Sequence, residues 1–229
     1  MAAMLIGERK FKQARIFKNY GPFDLNKAVS CLVLDKYGIG CDFPEAVGKE
    51  TARCPKFSKK GRADLTSVPL VTIDGDDSKD FDDAVWAEPT PVGFRLMVAI
   101  ADVAFYVREG SELDREAYRR GNSVYLPNMV IPMLPEKLSN ELCSLQPGRK
   151  RAALTAVMDI DREGNLLGYE FRRGIIKSAA RLTYQEVEDA LKGRKSPNIR
   201  TVFKSTVEPV FAAYQALVKA RQKRGALEL

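Results

Sequence analysis

Ten residues constrain this chain more than any others. Asp74-Gly75-Asp76-Asp77-Ser78-Lys79-Asp80-Phe81-Asp82-Asp83 places six carboxylates and one lysine in a single short segment. Carboxylates packed this closely repel one another, and each pKa unit of that repulsion costs about 1.4 kcal/mol. A solvated surface loop is the usual home of a charge run. Three features oppose that reading. The apolar stretch Val68-Pro69-Leu70-Val71-Thr72-Ile73 leads directly into Asp74. Phe81 interrupts the acids with a side chain that favours burial, and Ala84-Val85-Trp86 follows at once. Acids wedged between core strands need a cationic partner. An oxygen-only donor set selects hard ions, namely magnesium, manganese or calcium. The helix–loop–helix calcium site does not fit. Counted from Asp74, Lys79 stands where that loop needs glycine and Val85 where it needs glutamate; counted from Asp76, the glycine position is Phe81. Magnesium with bound water does fit, and two ions about 4 Å apart could activate a water and stabilise a leaving oxygen.

The rest of the chain has the opposite sign. The 229 residues sum to +7, and the acidic segment alone is −5, which leaves +12 elsewhere. A basic body around an acidic focus suits an enzyme that handles a phosphate polymer. Basic residues that merely solvate the surface give the same arithmetic. The chain has no histidine. That excludes Ser-His-Asp and Cys-His catalysis and histidine-ligated zinc. Any acid–base work falls on carboxylates, lysine, tyrosine or metal-bound water. Cys31, Cys41, Cys54 and Cys143 include no Cys-x-x-Cys pair, and the N-terminal apolar run is too short for a secretory signal. Free thiols in a cytoplasmic protein are expected. No apolar stretch approaches the roughly 20 residues of a membrane span, so no membrane partner is expected.

The patterning predicts an α+β fold with a mixed, largely antiparallel sheet and flanking helices. Residues 1–30 read as a basic, partly helical lead-in with a break at Gly21-Pro22, residues 27–38 as a helix, and residues 49–63 as a connecting loop. Strands are expected over 68–73, across Ala84–Ala87 and from Phe94 to Ala104, with the acidic run between the first two. Ser111-x-x-Asp114 and Thr183-x-x-Glu186 are capping-box patterns that open helices. Residues 152–161 and 166–176 form a hairpin around Glu163-Gly164-Asn165, and a last helix runs from about Pro209 to Arg224. The division expected is a lead-in over 1–60 and a catalytic domain over 61–229.

Several ordered motifs resemble one family. Thr72-Ile73-Asp74-Gly75-Asp76-Asp77-Ser78-Lys79-Asp80-Phe81-Asp82-Asp83-Ala84-Val85 looks like the signature of the ribonuclease II/ribonuclease R (RNB-type) exoribonucleases. Val98-Ala99-Ile100-Ala101-Asp102-Val103 resembles the strand that follows it. Arg120-Gly121-Asn122-Ser123-Val124-Tyr125-Leu126-Pro127, the segment Val130–Ser139 and Cys143-Ser144-Leu145 continue in the family's order. So do Tyr169-Glu170-Phe171, Ile176-Lys177-Ser178 and Leu182-Thr183-Tyr184. The resemblance spans about residues 60–229.

The resemblance implies a magnesium-dependent 3′→5′ exoribonuclease, with manganese as the substitute ion, that releases nucleoside monophosphates from single-stranded RNA by a two-metal mechanism. It implies that Asp74 and Asp83 are direct metal ligands, and that Asp80 and Asp82 complete the metal site and serve catalysis. Asp76 and Asp77 take no essential role. Tyr125 would stack on a base near the 3′ end, as suits a sequence-tolerant nuclease. Arg120, Arg149 and Arg151 would contact phosphate, although ordinary surface arginines fit these positions equally well. The family's domain continues past the position of Leu229 and supplies further active-site residues there. The chain is therefore expected to hold the metal ligands without the complete RNA channel, with the C-terminal half of the domain as its natural partner. The alternative is a non-catalytic RNA-binding or assembly fragment of a split or degraded ribonuclease.

Overall fold

The computed structural model describes residues 2–6, 13–18, 25–55 and 57–226. In chain order the first elements are β1 (Ala2–Ile6), β2 (Gln13–Lys18), α1 (Leu25–Lys36), α2 (Glu45–Ala52), β3 (Ala63–Asp64), β4 (Val71–Asp74), β5 (Asp83–Pro89) and β6 (Gly93–Ala101). Next come α3 (Glu112–Arg120), β7 (Val124–Leu126), β8 (Met129–Ile131), β9 (Lys150–Asp161) and β10 (Leu166–Lys177). The last are β11 (Ala180–Thr183), α4 (Tyr184–Leu191), α5 (Pro197–Arg200) and α6 (Glu208–Lys223). Contacts divide the chain into two compact units, Met1–Arg53 with Glu109–Pro135, and Cys54–Arg108 with Glu136–Leu229.

In the first unit β1 and β2 pair antiparallel, as do β7 and β8. The expected partly helical lead-in is thus corrected: two short runs rich in apolar residues flank a basic connector and pair as strands, and helix begins only at Leu25. The Gly21-Pro22 break lies outside the described residues. The expected loop from residue 49 is also corrected, because α2 runs to Ala52. Pro44 at its N-cap and Glu45 in its first turn were the local signals. Ser111 caps α3 by accepting from the Asp114 N–H at 3.1 Å. Leu34, Val47, Leu113 and Ile131 are buried in this unit.

The second unit is built on a seven-stranded sheet, ordered β11-β4-β5-β6-β9-β10-β3. The outermost pairs, β11 with β4 and β10 with β3, are parallel, and the four between are antiparallel. The mixed, largely antiparallel sheet with flanking helices is therefore as the sequence predicted. One apolar cluster joins Val71, Ala180 and Leu182 of the sheet to Ala190, Ile199, Val202, Phe203 and Val207. Another joins Ala87, Leu96 and Ile160 to Ala213 of α6. Gly164 in the β9–β10 turn has φ +82°, and a Cβ there would lie 2.2 Å from the Ala216 carbonyl oxygen. Only glycine lets that turn seat against α6. Thr183 and Glu186 make the full reciprocal capping box of α4. Among the described residues no helix is long and apolar enough to cross a membrane.

Candidate active site

The acidic run lies in the second unit. Asp74 is the last residue of β4 and stands opposite Thr183 of the parallel strand β11. Asp83 is the first residue of β5, opposite Ile100 of β6. Strands β4 and β5 pair at Val71 and Val85, and the chain between forms the acidic loop.

That loop is held by its backbone. Ser144, wholly buried, donates its hydroxyl to the Lys79 carbonyl at 2.9 Å and accepts from the Phe81 N–H at 3.2 Å. The Leu145 N–H donates to the Phe81 carbonyl at 2.8 Å, and the Ala101 N–H to the Asp82 carbonyl at 2.9 Å. From β11, Arg181 donates through Nη2 to the carbonyls of Gly75 (2.5 Å) and Asp76 (2.8 Å). Its guanidinium lies 5.6 Å from the centre of the Phe81 ring. Such anchoring fixes the main chain and leaves carboxylates free to act.

The carboxylates themselves are poorly compensated. Burial pushes the Asp82 carboxyl above the usual range, and the charges of Asp80, Asp83 and Asp74 push it further. Asp74 is also raised, by burial first and by Asp83 next, with Arg181 opposing. The Oδ2 atom of Asp74 is buried and, among the described residues, has no hydrogen-bond donor. Asp80 accepts one bond, from the Ser78 hydroxyl at 3.2 Å. Beside them the Cys143 thiol is pushed up to about 12, chiefly by burial, and so stays protonated and inert. A buried anionic oxygen without a donor, among mutually repelling carboxylates, fits a cation. The donors are all oxygen, which suits a hard divalent ion. Among the described residues no three acidic or cysteine side chains converge closely enough to hold an ion as they stand. The four acids are electrostatic neighbours, not a finished ligand sphere.

The other expected site residues lie in different settings. Tyr125 is 69% exposed on β7 of the first unit. Arg120, also in that unit, is committed within the protein, with its side chain only 6% exposed. It donates to Glu116 (2.8 Å), to the Pro132 carbonyl (3.0 Å) and to the Asp42 carbonyl (2.7 Å). It also covers the Phe43 ring at 3.8 Å. These bonds engage the Arg120 guanidinium as a clamp within the first unit, and the phosphate contact expected of it would have to compete with them. Arg151 is similar, donating to the carbonyls of Ser144 and Glu141. Arg149 is exposed.

The pattern that defines the RNB domain matches residues 62–229. This chain belongs to the RNB domain family. The RNB chain is 47% identical to ribonuclease R of Acidithiobacillus ferrooxidans over 202 residues, which is 86% of this chain and 46% of that protein. It is 46% identical to ribonuclease R of Escherichia coli (strain K12) over 204 residues, 86% of this chain and 25% of that one. It thus spans less than half the length of these curated relatives. Among solved structures, Mycoplasma genitalium RNase R in complex with ribose-methylated single-stranded RNA superposes with a TM-score of 0.82 at 35% identity. The match covers 88% of this chain and 32% of that one. The RNB fold and the resemblance of the acidic signature to ribonuclease R therefore hold.

Two residues that organise the RNB acidic loop carry no role in the sequence reading. Ser144 sits in a motif that the resemblance includes without explaining. Arg181 precedes the Leu182-Thr183-Tyr184 motif and resembles any strand arginine until β11 is seen beside β4.

Proposed function

We propose that this chain provides the metal-dependent catalytic centre of a 3′→5′ exoribonuclease acting on single-stranded RNA. The observation that carries this reading is the acidic loop: a rigid backbone presents Asp74, Asp80, Asp82 and Asp83 with their charges unpaired. A bound magnesium ion, or manganese in its place, would supply an activated water and charge stabilisation at the leaving oxygen. Asp74 and Asp83, at facing ends of neighbouring strands, are the candidate direct ligands. Asp80 and Asp82, on the loop between, are the candidates to complete the site and to orient the attacking water. Ser144 and Arg181 keep the loop from relaxing away from this arrangement. Tyr125 is the candidate to stack on a base near the 3′ end, since its ring is exposed and aromatic stacking is sequence-tolerant. The identity of the relatives supports RNA as the substrate, and a polypeptide that carries the rest of an RNB domain is the candidate partner.

The test is Asp82→Asn in the 229-residue chain, alone and together with the remaining portion of a relative's RNB domain. We expect magnesium-dependent release of mononucleotides to fall by about a thousandfold or more, the scale of losing a key electrostatic group, while binding of single-stranded RNA is retained. Cleavage at the unaltered rate would remove the assignment. RNA binding with no cleavage by the wild type in either form would favour the non-catalytic alternative.

A further inference from the structure

We propose that one uncovered stretch of the second unit's sheet is a binding track for single-stranded RNA, distinct from Tyr125 and leading to the acidic loop. The proposal rests on the ribonuclease reading for its ligand and adds a site to it. Strand register makes the argument. Asp83 of β5 stands opposite Ile100 of β6, Ile100 opposite Leu154 of β9, and Leu154 opposite Arg173 of β10. Directly opposed residues share a face, so these four form one row across the sheet. At about 4.8 Å per strand, the row is roughly 14 Å long. Side chains two residues along a strand share the same face, which adds Phe171 and Tyr169 of β10.

Helix α6 covers this face at its other end, over Ala87, Leu96 and Ile160. Within the second unit, the row beside Asp83 is not covered by any of the described residues. Ile100 is 46% exposed, Leu154 45%, Phe171 66% and Tyr169 65%. An uncovered group of large apolar side chains marks an interaction surface. Tyr169 and Phe171 lie edge to face with centroids 5.6 Å apart, so ring surface is open to a ligand. Exposed aromatics on an antiparallel sheet, flanked by arginine, are how sheet-based modules stack unpaired bases. The exposed aromatic rings with an arginine beside them suit an unpaired nucleic-acid strand, the rings for bases and the guanidinium for a phosphate. Arg173, exposed at one end of the row, supplies the cation for that phosphate. The row's other end is Asp83, so a strand lying along it runs into the candidate metal ligands.

The experiment measures fluorescence anisotropy of a labelled single-stranded oligouridylate with the full chain in EDTA, where no metal-dependent cleavage can occur. The double variant Tyr169→Ala/Phe171→Ala should weaken binding by about tenfold or more. Arg173→Gln should lower the slope of log affinity against log salt by about 0.7. Unaltered circular dichroism and melting temperature show that the variants fold, which their exposure favours. Unchanged affinity in the double variant overturns the track. So does a change in oligomeric state with unchanged RNA affinity, which would mark the face as a protein contact. Because this assay needs no hydrolysis, its failure differs from failure of the catalytic reading, which Asp82→Asn tests. A chain that binds through Phe171 yet cleaves neither alone nor with the rest of an RNB domain supports the track and favours the non-catalytic alternative.

Discussion

Two groups of carboxylates in this protein are treated in opposite ways. In the first unit, Glu116 is buried and held by two arginines. Arg119 donates to it at 2.8 and 2.6 Å, and Arg120 at 2.8 Å. The hydrogen bonds from Arg119, then the one from Arg120, hold its carboxyl down to about 2, against an ordinary 4.5. In the second unit, Asp74 and Asp82 are raised, because burial and neighbouring acids act on them with little to oppose. The fold spends its arginines on Glu116 and on loop backbone, and leaves the acidic loop's side chains bare. A paired carboxylate stabilises structure; an unpaired cluster costs stability and keeps its charge for a ligand.

The comparison can be broken most sharply at Glu116. Glu116→Gln leaves Arg120, whose side chain is 6% exposed, without its counter-charge. Loss of one partner from a buried pair costs about 3–5 kcal/mol, which thermal or urea unfolding would register. A cost near zero would show that the cluster is surface decoration. The pH dependence follows in sign. A depressed carboxylate stabilises the fold fully above its unfolded value of 4.5, and that contribution disappears as pH falls towards about 2. Acid unfolding should therefore lose this part of its slope in the Gln variant.

Magnesium addresses the other half. At a hundredfold excess over its dissociation constant it should stabilise the wild type by about 2.7 kcal/mol. Asp82→Asn should respond less, and without magnesium it should be the more stable protein, because it removes a charge repelled by Asp80, Asp83 and Asp74. Equal responses in the two proteins would sink the cation reading of the loop. The smallest effect is expected at Ser144→Ala. It leaves the Lys79 carbonyl and the Phe81 N–H without their partner, at a cost of about 1–3 kcal/mol. It should also lower cleavage while the Glu116 cluster stays intact. A Ser144→Ala protein with full activity would mean that the loop is positioned by Arg181 and the strand ends alone.

Much of this was legible in the chain. The N-cap at Ser111 and the capping box at Thr183 are local, so their residue spacing predicted where α3 and α4 begin. The β9–β10 hairpin is a near-neighbour pairing around Gly164 and was equally readable. Strand β11 was not. It is four residues long, its partner β4 is about a hundred residues earlier, and parallel pairing leaves no turn in the sequence to announce it. With β11 unseen, Arg181 had no visible role. The hairpin of β1 and β2 escaped for a related reason: its basic residues masked two short apolar runs.

The sequence by itself determined that six acids lie between two core strands, that histidine takes no part, and that any ion held there is held by oxygen. These follow from residue identity and order. Tertiary structure alone decided which polar groups were already spent. Arg120, which in the sequence fits a phosphate contact and an ordinary surface arginine equally well, has its guanidinium engaged with Glu116 and two backbone carbonyls in the fold. Asp74, which the resemblance makes a direct metal ligand, has an oxygen buried without a donor among the described residues. Whether a charge is paired depends on what the chain brings within about 3 Å of it. That is set by strand order and long-range packing, which spacing along the chain does not encode.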